Sequence, residues 1–265
     1  MQNARSPIGV LDSGLGGLSV LKALRDELPY EQFVYCADCA HAPWGEKSEE
    51  YIVERTRTIV HFLLEQEVKA VVLACNTATA AAADTLRQEL SIPIIGIEPA
   101  VKPAAAKSRT GVIGVLATRR TVESSRYRGL LERFASGSRV ISVAASGLME
   151  CVERGDFTGK ATIDLLEHYL KPIRAAGADK LVLGCTHYPF LSESIRSIMG
   201  SNVELLEPGK PVALVTRKRL ADLGLLNPVS TDTNPCRYFV AGAREHSETL
   251  KLLEPQAQSI AELPV

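Results

Sequence analysis

Short runs of β-branched and other apolar residues alternate along the chain with longer segments whose apolar positions recur every three or four residues. The short runs read as strands and the longer segments as amphipathic helices, the alternation that a parallel sheet with crossover helices requires. Strands are predicted over 8–11, 33–37, 70–74, 92–97, 111–116, 139–143, 180–184, 203–206 and 237–240. Helices are predicted over 18–28, 48–67, 77–89, 121–134, 158–176, 191–199 and 211–220. Within 48–67, Ile52, Thr56, Ile59, Val60, Leu63 and Leu64 follow the helical period and place one apolar stripe against a sheet. The fold class is therefore α/β.

The pattern also repeats. Lys69-Ala70-Val71-Val72-Leu73-Ala74-Cys75-Asn76-Thr77 resembles Asp179-Lys180-Leu181-Val182-Leu183-Gly184-Cys185-Thr186-His187 at an offset of 110 positions. Ile8-Gly9-Val10-Leu11 returns as Ile113-Gly114-Val115-Leu116 at an offset of 105, and Ile97-Glu98-Pro99 as Leu206-Glu207-Pro208 at 109. Three matches in order at a nearly constant offset predict two pseudo-symmetric, doubly wound parallel-sheet domains of about 100 residues each. The first would cover 1–99 and the second 100–208, with residues 209–265 packing back on the first. The segment from Glu254 onward, with Pro255, Gln256 and Gln258, reads as a fraying or lightly docked end.

Composition narrows the chemistry. Of 265 residues, 46% are apolar and 23% charged, which suits a folded globular chain and excludes a disordered one. A net charge of -1 offers no overall field to recruit nucleic acid or an anionic membrane. Apolar stretches such as 70–75 are far shorter than the ~20 residues of a membrane-spanning helix, and the start of the chain lacks the pattern of a secretion signal. A cytoplasmic protein is expected. The six cysteines, Cys36, Cys39, Cys75, Cys151, Cys185 and Cys236, then read as reduced core residues or as chemistry rather than disulfides.

Ligands of parallel α/β sheets bind beyond the carboxyl ends of the strands, and Cys75 and Cys185 both fall there. Each follows an apolar strand and precedes polar residues (Asn76-Thr77, Thr186-His187) that could open a helix whose dipole favours a thiolate. A lone free cysteine is commonly a core filler, but the duplicated placement favours chemistry. Facing each other across a cleft between the domains, the two thiols would suit inversion of a carbon centre: one removes a proton and the other delivers one to the opposite face. Asp12-Ser13-Gly14-Leu15-Gly16-Gly17 forms a glycine-rich turn between strand and helix, with backbone N–H groups available to an anion. Its spacing matches neither the dinucleotide fingerprint nor the P-loop. Asp12 can face a ligand, cap the following helix, or both. Cys36-Ala37-Asp38-Cys39 spells C-x-x-C but has no second pair or histidine set at zinc spacing, so no metal is assigned. Cys151, Cys236, His41, His61, His168 and His246 have no motif around them.

Together, Asp12-Ser13-Gly14-Leu15-Gly16-Gly17, Asp38 with Pro43-Trp44-Gly45, Ala74-Cys75-Asn76-Thr77-Ala78 and Gly184-Cys185-Thr186-His187-Tyr188-Pro189 resemble the cofactor-independent glutamate racemases of the aspartate/glutamate racemase superfamily. The resemblance covers nearly the whole chain. It implies that Cys75 and Cys185 are the proton carriers, assisted by Asp12 and His187, with Glu153 as an acidic residue near the histidine. It also implies that glutamate meets Asp12, Ser13, Pro43, Trp44, Gly45, Asn76, Thr77, Thr118, Thr121, Thr186 and His187. Asp38 would shape its loop. The family usually has Tyr at the position of Trp44 and a Cys-Pro pair at Ala145-Ser146; an indole carries no phenolic hydroxyl, which alters the pocket wall.

The expected reaction interconverts L- and D-glutamate without cofactor or metal and supplies D-glutamate for peptidoglycan. Glutamate is the small-molecule partner, and a homodimer is compatible because many relatives form dimers. By the resemblance, Cys75 acts on the D form and Cys185 on the L form. Three rivals remain open here. One is an aspartate racemase. The second is a thiol hydrolase with Cys185 as nucleophile, His187 as base and Glu153 as orienter. The third is a non-catalytic amino-acid-binding module.

Overall fold

A computed structural model of the chain describes residues 3–228 and 235–265; Met1, the first residue of the start that lacks a secretion pattern, lies outside them. In chain order the elements are β1 (Ile8–Asp12), α1 (Leu18–Glu27), β2 (Phe33–Ala37), α2 (Glu49–Glu65), β3 (Ala70–Leu73), α3 (Asn76–Glu89) and β4 (Ile94–Gly96). There follow α4 (Val101–Lys107), β5 (Val112–Ala117), α5 (Arg119–Glu123), α6 (Ser125–Phe134), β6 (Arg139–Ala144), α7 (Leu148–Glu153), α8 (Lys160–Ala175), β7 (Lys180–Gly184), α9 (Ser192–Met199) and β8 (Glu204–Leu206). The chain closes with α10 (Gly209–Asp222), β9 (Cys236–Val240), α11 (Ala243–Leu253) and β10 (Ile260–Glu262). Two compact units result, Met1–Ile97 with Gly209–Val265, and Glu98–Pro208.

The first unit contains a six-stranded sheet in the order β10-β9-β2-β1-β3-β4, and the second a four-stranded sheet in the order β6-β5-β7-β8. Every described pairing is parallel. The orders β2-β1-β3-β4 and β6-β5-β7-β8 are the same arrangement built twice, as the repeated sequence anticipates. Parallel strands are covered by helices on both faces, and β1, β2, β3 and β7 are accordingly buried along their whole lengths. On α2, the residues Ile52, Thr56, Ile59, Val60, Phe62 and Leu63 are buried, and each full apolar side chain so covered contributes roughly 1.5–3 kcal/mol.

The repeated glycine of the two central strands has a packing reason. A Cβ on Gly114 would lie 2.3 Å from Cγ2 of Ile173 on α8, and one on Gly9 would lie 3.0 Å from Cδ1 of Leu63 on α2. In both units the crossover helix presses a side chain onto the central strand at this glycine, more tightly at Gly114 than at Gly9.

The strand starts carry buried charge. Lys69, fully buried, donates to Glu31 Oε2 and to the Ala4 carbonyl, each at 2.5 Å, while Glu31 Oε1 accepts from the Asn227 N–H at 2.9 Å. Burial pulls the Lys69 amine below its ordinary range, and the Glu31 carboxylate partly offsets this. In the second unit Asp179 accepts from Ser108 Oγ at 2.5 Å, the Arg109 N–H at 2.8 Å and Thr110 Oγ1 at 3.1 Å. Burial opposes its ionisation, yet these donors and Lys180 hold its carboxyl well below the usual carboxylate range.

Some elements depart from the periodicity. The predicted helix over 121–134 is two helices, because Ser124 adopts extended backbone, donates Oγ–H to the Thr121 carbonyl and caps the Tyr127 N–H. The end of the chain is not frayed: β10 pairs with β9, Leu263 is buried, and the Glu262 carboxylate accepts from the N–H groups of Gly242 and Ala243 at the start of α11. Short helices α4 and α7 escape prediction because each spans fewer than two full periods, and α11 because Leu250 alone is buried along it.

Two outcomes follow from this packing. Gly114→Ala should destabilise the protein by about 1–3 kcal/mol in urea unfolding, the usual range for an overpacked core, and Gly9→Ala by less because flexible Leu63 can yield. Asp179→Asn should also destabilise at neutral pH. A carboxyl depressed in the folded state stabilises fully above its unfolded value near 3.9, so the gap between wild type and variant should close as pH falls below about 4.

Candidate active site

The carboxyl ends of adjacent strands in each unit gather the residues with chemistry. In the first unit, β1 ends at Asp12, β3 leads into Cys75, Asn76 and Thr77, and the loop after β2 carries Asp38 and Pro43-Trp44-Gly45. Asp12 is fully buried, and its Oδ2 accepts from the Gly17 N–H at 2.8 Å. The residue capping α1 is Gly17, so Asp12 braces the turn ahead of the helix rather than capping it.

Cys75 is the N-cap of α3, with Sγ accepting from the Ala78 N–H at 3.4 Å and lying 3.4 Å from Ser13 Oγ. The thiol therefore stands at the positive end of a 14-residue helix with a hydroxyl beside it. Asn76 adds a pointer to a ligand. The residue is only 5% exposed, yet neither its amide nitrogen nor its amide oxygen finds a hydrogen-bond partner among the described residues. An orphaned amide in that setting costs about 1–3 kcal/mol per group unless a bound polar molecule satisfies it. Thr77 is buried next to it.

Asp38 organises the following loop. Its buried carboxylate receives a two-pronged contact from Arg55 (2.8 and 2.6 Å), the Trp44 indole N–H at 3.2 Å and His41 Nδ1 at 2.9 Å, while its backbone N–H donates to the Asp12 carbonyl at 3.1 Å. The Trp44 indole is thus a core group, 1% exposed, whose polar edge is already engaged. Arg55 was not singled out from the sequence, although a signal exists: it interrupts the buried face of α2 between Ile52 and Ile59.

In the second unit, β5 ends at Ala117 before Thr118, and neighbouring β7 ends at Gly184 before Cys185, Thr186 and His187. Thr118 and Thr121 hydroxyls are 2.9 Å apart, and Thr118 caps the Thr121 N–H. Cys185 does not open an α-helix as its counterpart does; a 3-10 turn over Tyr188–Leu191 follows and α9 begins only at Ser192. Its sulfur is instead 3.7 Å from His187 Nδ1, and His187 Nε2 is 2.6 Å from Glu153 Oε1 at the end of α7. Burial alone would lower the His187 imidazolium, but Cys185 and Glu153 on either side outweigh it and raise it well above the ordinary value. Cys75 thus has a helix N-terminus beside it, and Cys185 a histidine held by a carboxylate. At Ala145-Ser146, the Ala145 carbonyl accepts from Tyr188 Oη at 3.1 Å, and the Ser146 N–H donates to Tyr169 Oη at 3.1 Å, a contact that proline could not make.

All six cysteines are free thiols, five of them buried. Burial, with Cys236 nearby, pushes the Cys36 thiol far above its ordinary range, and burial raises Cys236 to about 12, so neither is an acid/base group near neutrality.

Comparison with known proteins places these loops in context. A family model described as Asp/Glu/Hydantoin racemase matches residues 8–214. A glutamate racemase of Ectopseudomonas mendocina is 48% identical over 261 residues, 97% of this chain and 98% of that one. The crystal structure of glutamate racemase from Francisella tularensis in complex with D-glutamate superimposes with a TM-score of 0.84 at 30% identity, covering 98% of each chain. That of the Escherichia coli glutamate racemase with L-glutamate and an activator does so with a TM-score of 0.84 at 32% identity, covering 97% of this chain and 98% of the other.

The Glu153–His187 contact yields a direct measurement. In an NMR titration His187 should stay protonated through neutral pH, and Glu153→Gln should move its midpoint down toward 6.5, because the flanking carboxylate charge is lost. The raised value stabilises the folded protein below about pH 6.5 and that contribution fades as pH climbs through the folded midpoint, so the variant should lose most stability on the acid side of neutrality.

Proposed function

The chain belongs to the Asp/Glu/Hydantoin racemase family, and we infer from this that it interconverts L- and D-glutamate by proton transfer at Cα. The observation that carries the inference is the pair of cysteines at equivalent strand ends, each with its own proton-handling neighbour: Ser13 and the α3 N-terminus for Cys75, His187 and Glu153 for Cys185. Inversion of a carbon needs a base for one face and an acid for the other. Thiols suit both roles, since an ordinary value near ~8.5 leaves either protonation state reachable at neutral pH.

The assignment of steps is our reading. Cys75 as thiolate takes the Cα proton of D-glutamate, and the Cys185 thiol, with His187 beside it, delivers a proton to the other face; from L-glutamate the roles exchange. Asp12 and Ser13 serve Cys75, and the Glu153 carboxylate holds His187 in place. The Asn76 amide, without a partner of its own, is suited to a substrate carboxylate or ammonium, and Thr77, Thr118, Thr121, Thr186 and the backbone of the Pro43-Trp44-Gly45 loop complete the contacts. Dry, prepositioned donors stabilise the carbanion-like charge that makes Cα deprotonation difficult. The Trp44 indole acts from beneath, through Asp38.

The product, D-glutamate, is a precursor for peptidoglycan, and our reading is of a cytoplasmic enzyme that supplies it. Among the described residues no helix is long and apolar enough to cross a membrane. A Cys185–His187–Glu153 hydrolase would use the same contacts but gives Cys75 no task.

Substitution tests this division of labour. Cys75→Ser and Cys185→Ser should each lower racemisation by about 10²–10⁴-fold, the usual contribution of a general acid or base. In heavy water each variant should still exchange the α-proton of one enantiomer faster than it racemises: L-glutamate for Cys75→Ser, D-glutamate for Cys185→Ser. Full activity in Cys75→Ser would overturn the reading in favour of a single-thiol enzyme.

A further inference from the structure

Tyr35 takes no part in the mechanism as described, yet its hydroxyl is built into the loop that serves Cys75. It is a fully buried residue of β2, paired in register with Val10, two positions before the Asp12–Ala37 pair. Its Oη donates to the Gly14 carbonyl at 2.9 Å. A Cβ on Gly17 would come within 3.0 Å of that oxygen and 2.6 Å of Asp12 Cβ, so the Asp12–Gly17 turn is folded tightly around the phenol. The ring leans on Tyr238 of neighbouring β9, with centroids 6.2 Å apart and planes at 59°. Burial in this corner raises the Tyr238 hydroxyl beyond its ordinary range, which leaves it neutral.

Two side chains from neighbouring strands brace the turn. Asp12 Oδ2 accepts from the Gly17 N–H at the helix end, and Tyr35 Oη donates to the Gly14 carbonyl within the turn. Ser13 sits in the chain directly between Asp12 and Gly14, and its hydroxyl is 3.4 Å from Cys75 Sγ. We propose that Tyr35 is a positioning residue for proton transfer at Cys75: its hydroxyl sets the Asp12–Ser13 turn at working distance from the thiol without touching substrate. The proposal rests on the racemase reading above.

A bonded donor to a buried carbonyl is easily lost from stability alone, so the test must report on one thiol and not the other. Enantiomers have equal free energy, which forces kcat/KM to fall by the same factor in both directions whatever residue is changed. Primary isotope effects are free of that constraint. With 2-deuterated D- and L-glutamate, slowing the Cys75 step makes abstraction from D-glutamate more fully rate-limiting. In the other direction the Cys185 step becomes more nearly reversible, because protonation by Cys75 lags behind it.

Tyr35→Phe keeps the ring and its packing and removes only the hydroxyl. We expect kcat about five- to tenfold lower, as for one lost buried hydrogen bond. The isotope effect should rise for D-glutamate and fall for L-glutamate, with the thermal midpoint measured alongside to show that the variant is folded. An unchanged kcat, or a lower kcat with both isotope effects unchanged or moving together, overturns the assignment. A wild-type protein that does not racemise glutamate overturns the racemase reading and this inference with it; racemising wild type with a symmetric variant overturns this inference alone.

Discussion

Ligands of a parallel sheet buried on both faces bind beyond the carboxyl ends of its strands, and that constraint governs where both thiols stand. β1, β3 and β7 are sealed along their lengths by helices, so side chains within them can only pack. At Asp12, Cys75 and Cys185 the chain leaves the sheet. Sulfur placed there is buried, with a helix N-terminus and hydroxyl beside Cys75 and an imidazole beside Cys185.

The two copies meet this constraint differently. Glycine at the same place in β1 and β5 admits the crossover helix in both units, and the strand order is shared. At the strand ends the copies diverge. Cys75 caps a long helix and borrows the Ala78 N–H and the Ser13 hydroxyl, whereas Cys185 is followed by a 3-10 turn and relies on His187, held charged by Glu153. A helix dipole stands beside one thiol and a histidine–carboxylate pair beside the other.

Much of this is legible in the sequence, for definable reasons. Strand positions follow from apolar runs that a doubly covered sheet demands, and the repeat around Cys75 and Cys185 survives because identical packing selects identical residues. What escapes is settled by single hydrogen bonds rather than by period: Ser124 splitting a helix, Glu262 anchoring the end of the chain on α11, Arg55 reaching Asp38 across an otherwise apolar stripe. The Trp44 side chain shows the same limit. A motif locates its loop, but its indole turns inward to Asp38, and only the fold reveals that.

The central claim is that two different groups handle the two faces of one carbon. Following racemisation in heavy water over the first turnovers tests it most directly. If each thiol serves one face, newly formed enantiomer carries deuterium at Cα while remaining substrate still carries protium, whichever enantiomer is supplied. Product that retains the original protium would mean that one group removes and returns the same proton, and would contradict the account.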